Sequence, residues 1–262
     1  MSRPRAILID LDDTLIDDQP AVSAAFAACG RHAAAQLDVD AARFVERARQ
    51  LGWEAWDTVW LPPVRDWLGI AFWDGLSEGF TGAHPHLNRF RDWLPDYRRK
   101  TWGVVLEEFG CSDPRLADDL GELFTTERHA APVGALPGAA RLLKEAGERE
   151  EPVVVITNGA ADGQRRKLRA AGLDGLVSDI VISTEIGVGK PSPAAFLTAL
   201  SRVGSRPQDA VMVGDSFDRD VLGSTALGMR TLWITGEAAP PELDASVTLV
   251  ESVDRAGYLL HR

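Results

Sequence analysis

Two cysteines in 262 residues, Cys29 and Cys111, are too few for a disulfide framework and fit a reducing compartment. Basic side chains are also scarce. Lys and Arg number 28 against 39 Asp and Glu, for a formal net charge of -11 and a pI of about 4.9. That balance speaks against a nucleic-acid polymer or an anionic membrane surface as partner. No apolar run approaches the ~20 residues of a membrane span. The stretch Ala6 to Ile9 stops at Asp10, too short for a signal h-region. What is present, 45% hydrophobic and 26% charged residues, is an ordinary globular composition with enough apolar material for a sizeable core. The expectation is a soluble, cytoplasmic protein.

The chain has two textures. From about Glu151 onward, the short runs Val153 to Ile156, Asp179 to Ile182, Ala210 to Val213 and Thr231 to Ile234 alternate with helical patterns at Gln164 to Ala171, Pro193 to Val203 and Asp218 to Leu227. Continuous apolar strands separated by helices of this length read as βαβ units around a buried parallel sheet. A similar run, Ala6 to Ile9, stands alone at the N-terminus. Between it and the rest lie over a hundred residues of helical character: Ala21 to Leu37, Ala41 to Val59, a middle broken by prolines, Tyr97 to Phe109 and Leu116 to Arg128. The reading is an α/β core, residues 1–16 and 136–262, interrupted by a helical insertion at 17–135. Seven of the eight tryptophans fall in the insertion, and Trp53, Trp56 and Trp60 are spaced as one helix face. Such a face packs inside the module, or lends a ring or two to a pocket.

The densest chemical signal is Asp10-Leu11-Asp12-Asp13-Thr14-Leu15, directly after the first run. Its alternating oxygen side chains mimic an EF-hand loop, but that loop needs Gly sixth and Glu twelfth, where this chain has Leu15 and Ala21. Carboxylates this close repel one another unless a cation or a function compensates. The next run ends Thr157-Asn158-Gly159, which suits either a helix cap or a phosphate site. Gly187-Val188-Gly189-Lys190-Pro191 is no P-loop: Thr184 stands where its first Gly belongs and Pro191 where magnesium would need a hydroxyl. A fourth strand ends Gly214-Asp215 and continues through Asp218 to Asp220. All four strings follow the carboxyl end of an expected strand, where open parallel sheets bind ligands, so they can converge on one crevice. Two carboxylate clusters, a lysine and a hydroxyl suit an oxygen-ligated cation such as Mg²⁺ together with a phosphate. The five scattered histidines offer no zinc grouping, and no Gly-x-Ser-x-Gly elbow is present.

These four strings, in this order, resemble the motifs of the haloacid dehalogenase-like hydrolase superfamily, over roughly residues 4–16 and 136–236. The resemblance implies a Rossmann-like parallel sheet with helices on both faces, and an all-α helical cap inserted after the first motif. It implies a Mg²⁺-dependent phosphatase acting on a small phosphorylated metabolite, as a monomer or homodimer. Asp10 is then the nucleophile that forms an aspartyl-phosphate, and Lys190 screens the phosphate's charge. Asp12 is the general acid and later the base, which calls for a raised pKa. Thr157, Asn158 and Lys190 bind phosphoryl oxygens. The metal falls to Asp10, the Asp12 backbone carbonyl, Asp215 and Asp220, with Asp218 a rival for the last place. Within the insertion, Tyr97-Arg98-Arg99 with Trp102 resembles the caps of small-metabolite phosphatases of the N-acylneuraminate 9-phosphatase and nucleotidase kinds. Trp53, Trp56, His84, His86 and Arg98 are candidates for selecting the leaving group, beneath a cap that closes over the site.

The same motifs occur in sugar-phosphate mutases, which remain an alternative. A 2-haloacid dehalogenase has no alkoxide to protonate and needs no metal, leaving Asp12 and Asp215 unexplained. A phosphonatase would use a cap lysine, and the only one is Lys100, beside two arginines. A non-catalytic phosphate-binding regulatory module should have lost Asp10 or Asp12, and both are present.

Overall fold

The computed structural model describes residues 5–57, 68–82, 85–236 and 243–260. Trp60, Trp67, His84 and the side chain of His86 lie outside the described residues. The chain divides into two units. One comprises Met1–Asp17, Trp67–Gly69 and Val133–Arg262, the other Asp18–Asp66 and Ile70–Pro132.

Among the described residues, the first unit carries eight strands: β1 (Ala6–Ile9), β2 (Ile16–Asp17), β3 (Gly134–Ala135), β4 (Val153–Thr157), β5 (Asp179–Ile182), β6 (Ala210–Gly214), β7 (Arg230–Ile234) and β8 (Val247–Val250). Six of them form a parallel sheet in the order β5-β4-β1-β6-β7-β8. β2 and β3 form a separate antiparallel pair. All four residues of β1 are fully buried, as a strand covered on both faces must be. On one face Ala6 and Leu8 meet Phe196 and Ala199 of the helix Pro193–Arg202. A buried ring such as Phe196 contributes about 1.5–3 kcal/mol. From β1 the chain first builds outward through β4 and β5, then jumps back across β1 to β6 and builds the other way. β1 and its neighbours β4 and β6 therefore flank the switch point, where side chains after their carboxyl ends face a common crevice.

Two details differ from the pattern-based expectation. Residues Asp218 to Leu227 do not form one α-helix. They open as a π-helical turn, Phe217–Val221, before the short helix Leu222–Thr225. The turn forms because Ser216 caps it, its hydroxyl accepting from Arg219 N, while the Asp220 carboxylate folds inward to accept from Ser216 N. β8, with its mixed burial, shows little of the apolar continuity that marks the central strands.

The second unit is helical: Gln19–Leu37, Ala41–Asp57, Phe72–Ser77, Pro85–Glu108 and Pro114–Ala130. The helix Pro85–Glu108 is continuous through Pro95, where a break was expected. Phe90, Leu94, Tyr97, Thr101 and Val105 recur at helical spacing on either side of Pro95 and are all buried, so side-chain packing holds the helix across the missing N–H. Phe26 sits among the rings of Phe72, Trp102 and Phe124, with centroids 4.7–6.3 Å away. Trp56 is buried against Phe90, Trp93 and Tyr97, whereas Trp53, assigned to the same face, is 55% exposed. No helix among the described residues is long and apolar enough to cross a membrane.

Candidate active site

Asp10 leaves β1 with its backbone N–H donating to Val213 O of β6, which fixes the first carboxylate at the switch point. Lys190 lies in the segment before the helix Pro193–Arg202, and its buried ammonium is 2.5 Å from Asp10 Oδ1 and 2.6 Å from Asp220 Oδ1. Burial pushes the Asp10 carboxyl well above the usual range, as do the nearby charges of Asp220 and Asp215, against the pull of Lys190. Burial pushes the Lys190 ammonium down, but Asp10 and Asp220 outweigh it and hold it above its ordinary value. Asp220 is fully buried, and its second oxygen accepts from Ser216 N at 3.1 Å. It packs so closely over Gly214 that any Cβ there would collide with its carboxylate.

Asp215 completes the cluster. Its Oδ1 accepts from Thr14 Oγ1 at 3.3 Å, and its backbone carbonyl accepts from Trp233 Nε1 at 2.8 Å. Burial raises its carboxyl, with Asp220 adding to the effect. Carboxylate oxygens of Asp10, Asp215 and Asp220 lie within 4.8 Å of one another. Three carboxylates against one ammonium leave an excess of negative charge in a buried place, and hard oxygen donors are what a small divalent cation takes. The donor set therefore fits Mg²⁺. Asp218, by contrast, is exposed and lies outside the cluster.

On the other side of β1, Thr157 ends β4 with its hydroxyl accepting from Gln164 Nε2 at 2.5 Å. Asn158 is tied to Lys190. Its Nδ2 donates to Lys190 O and its Oδ1 accepts from Lys190 N, both at 2.8 Å, so both ends of the amide brace the lysine's backbone. Asp12 is half-buried and accepts from two side chains, Lys167 Nζ at 2.6 Å and Gln164 Nε2 at 2.7 Å. Both donors suit the ionised carboxylate, a different setting from the proton-holding one expected for a resting general acid. Asp10, Asp12, Thr157, Asn158, Lys190 and Asp215 all line one cavity of about 180 Å³, together with Asp13, Ser216 and the exposed Arg219.

Three features here escape the motif reading. Gln164 and Lys167 fall in a segment legible only as a helix, yet both are buried polar residues three positions apart, one face of the helix Ala161–Ala170. That spacing was the available signal. The third is Leu68-Gly69, inside the long insertion by sequence but part of the sheet-bearing unit. Leu68 O accepts from Ser183 Oγ at 2.6 Å, and Gly69, at φ +59°, lies against the Asn158 amide where no Cβ would fit. Of the candidate selectivity residues, Arg98 spends its guanidinium on backbone, with Nε donating to Gly75 O and Nη2 to Glu78 O.

The model of the haloacid dehalogenase-like hydrolase family matches residues 4–228. A phosphoserine phosphatase from Thermus thermophilus is 35% identical over 245 residues, covering 94% of this chain and 94% of the relative. A glyceraldehyde 3-phosphate phosphatase from Methanothermobacter thermautotrophicus is 25% identical and covers 98% of this chain and 99% of its own. Among solved structures, the HAD-hydrolase YfnB from Bacillus subtilis, bound to magnesium, covers all of both chains with a TM-score of 0.66 at 18% identity.

Proposed function

This chain belongs to the haloacid dehalogenase-like hydrolase family and is a phosphoric monoester hydrolase, and from that premise we propose that it cleaves a small-metabolite phosphate ester through an aspartyl-phosphate on Asp10. The observation that carries the reading is the Lys190 ammonium held between Asp10 and Asp220 at the switch point. A carboxylate is a weak nucleophile toward a phosphate dianion unless the charge between them is offset. Lys190 supplies one positive charge there and keeps the Asp10 carboxylate aligned. Mg²⁺, held by Asp10, Asp215, the Asp12 backbone carbonyl and Asp220, would supply the remaining positive charge on the phosphoryl oxygens.

In the first half-reaction an Asp10 oxygen attacks phosphorus, the ester P–O bond breaks, and Asp12, having first taken up a proton from solvent against the pull of Lys167, delivers it to the departing alkoxide. In the second, Asp12 takes a proton from the water that attacks the aspartyl-phosphate, which releases inorganic phosphate and restores Asp10. Thr157 donates to a phosphoryl oxygen. Asn158 serves the phosphate site by holding the Lys190 backbone. The full-length likeness to a phosphoserine phosphatase makes phosphoserine the first ester to try, followed by a panel of phosphorylated metabolites.

Phosphate release from p-nitrophenyl phosphate, with and without Mg²⁺, tests the chemistry. Activity is expected with Mg²⁺ and is expected to vanish with EDTA and in Asp10→Asn. Activity that survives either change overturns the mechanism.

A further inference from the structure

Two side chains outside the four motifs converge on Asp12. Lys167 and Gln164 are 2% and 1% exposed and stand on one face of the helix Ala161–Ala170. Each takes a different oxygen of the same carboxylate, Lys167 Nζ at 2.6 Å from Oδ1 and Gln164 Nε2 at 2.7 Å from Oδ2. The Gln164 amide also donates to Thr157 Oγ1 at 2.5 Å and lies 3.2 Å from Asn158 O. Burying a lysine is expensive for a fold, and apolar side chains would pack this helix onto the sheet at lower cost.

We infer that Lys167 and Gln164 are positioning residues for phosphoryl transfer, a two-point clamp that fixes the plane of the Asp12 carboxylate. A carboxylate offers about four lone-pair directions, so one donor on each oxygen leaves further capacity for the leaving group's proton. Through Gln164 the clamp also sets Thr157. A hydroxyl that accepts from Gln164 keeps its own hydrogen for another acceptor, and its donation to Asn158 O is a long one, 3.5 Å. Asp12 and Thr157 are thereby held as one unit, with the proton-transfer group in fixed relation to the phosphate-binding hydroxyl. This inference rests on reading Asp12 as the general acid.

The test separates positioning from mere structural support by leaving-group dependence. p-Nitrophenolate departs without a proton, whereas phenolate, with a conjugate acid of pKa about 10, benefits from one. The value of kcat/KM reports the steps up to ester cleavage and leaves out the later hydrolysis common to both esters. The ratio of kcat/KM for phenyl phosphate to that for p-nitrophenyl phosphate, taken on one preparation, cancels the fraction of active enzyme. In Lys167→Met and in Gln164→Met this ratio is expected to fall about 10- to 100-fold, up to the lower end of the roughly 100- to 10,000-fold that general acid catalysis provides, because the acid is misplaced rather than removed. Asp12→Ala, measured alongside, should show the same selective loss. If either clamp variant that folds loses both esters equally while Asp12→Ala stays selective, the clamp is overturned and the role of Asp12 stands. If Asp12→Ala is itself unselective, the general-acid reading fails and the clamp fails with it.

Discussion

The ammonium of Lys190 lies 2.5 Å from Oδ1 of Asp10, with both side chains buried, and the same ammonium reaches Asp220 at 2.6 Å. One cation thus serves two carboxylates. Removing it takes the cation from both buried acids and leaves Asp220 with the Ser216 N–H as its remaining donor. Breaking a buried pair from one side costs about 3–5 kcal/mol. Lys190→Met is expected to lose stability on that scale in urea denaturation without metal. A loss under about 1 kcal/mol would mean that the two carboxyls are already neutral or hydrated.

The raised carboxyls of Asp10 and Asp215 give metal binding a direction with pH. A carboxyl held above its unfolded value is proton-bound in both states at low pH. As pH rises past the ordinary value near 3.8, the folded form pays to keep or to ionise it, so stability falls until the raised value is passed. A divalent cation takes only the ionised form and stabilises the fold in proportion to its binding. The rise in Tm on adding Mg²⁺ should therefore be larger at pH 7.5 than at pH 5. Thermal melts with Mg²⁺ and with EDTA at both pH values decide the matter. An equal shift at both would separate metal binding from these carboxyls.

Gly69 reaches the site without touching phosphate. At φ +59° an L side chain costs about 1–2 kcal/mol, and here it would also collide with the Asn158 amide that braces Lys190. Gly69→Ala should raise KM for p-nitrophenyl phosphate severalfold and weaken inhibition by inorganic phosphate. Unchanged values for both would show that Asn158 tolerates displacement.

How much of this was legible in the sequence depends on the kind of order involved. Ala6–Ile9, Val153–Thr157 and Ala210–Gly214 announce themselves, because a strand covered on both faces must be apolar throughout. The residues at their carboxyl ends, Asp10, Thr157 and Asp215, follow from topology, since parallel strands deliver those ends to one edge. Lys167 could not be read that way. Its partner Asp12 is 155 positions earlier, and a lone helical lysine is ordinarily a solvated one. Gly69 was hidden for the same reason: nothing in the sequence on either side shows that Leu68-Gly69 joins the sheet-bearing unit at Ser183 and Asn158. The continuous helix through Pro95 shows packing overriding local propensity.

In the helical unit, Arg128 is completely buried and donates from Nη2 to Asp18 Oδ2 at 2.5 Å. Burial pushes this guanidinium down, while the charges of Asp18, Asp74 and Glu78 outweigh that and hold it above its ordinary value. Asp18→Asn keeps the shape and removes the charge, and should cost about 3 kcal/mol in urea denaturation. A loss below about 1 kcal/mol would show that Asp74 and Glu78 suffice to balance Arg128.

Asp218 and Asp220 are two residues apart, on the same π-helical turn, and only one of them faces the catalytic cluster. Asp220 is fully buried, its oxygens committed to Lys190 Nζ and Ser216 N, whereas Asp218 is exposed. Asp220→Asn removes half of the countercharge that orients Lys190 and sets an amide NH2 against either the Lys190 ammonium or the Ser216 N–H, so in both orientations a donor meets a donor. Turnover of p-nitrophenyl phosphate should fall by at least about 100-fold, the scale of losing one preorganised electrostatic group at a reacting centre. Asp218→Asn, which alters a solvated charge, should stay within about threefold of the parent. Parallel kcat measurements at saturating Mg²⁺ distinguish the two. A large loss in Asp218→Asn with little in Asp220→Asn would reverse their roles, and would mean that the turn reorganises when metal binds.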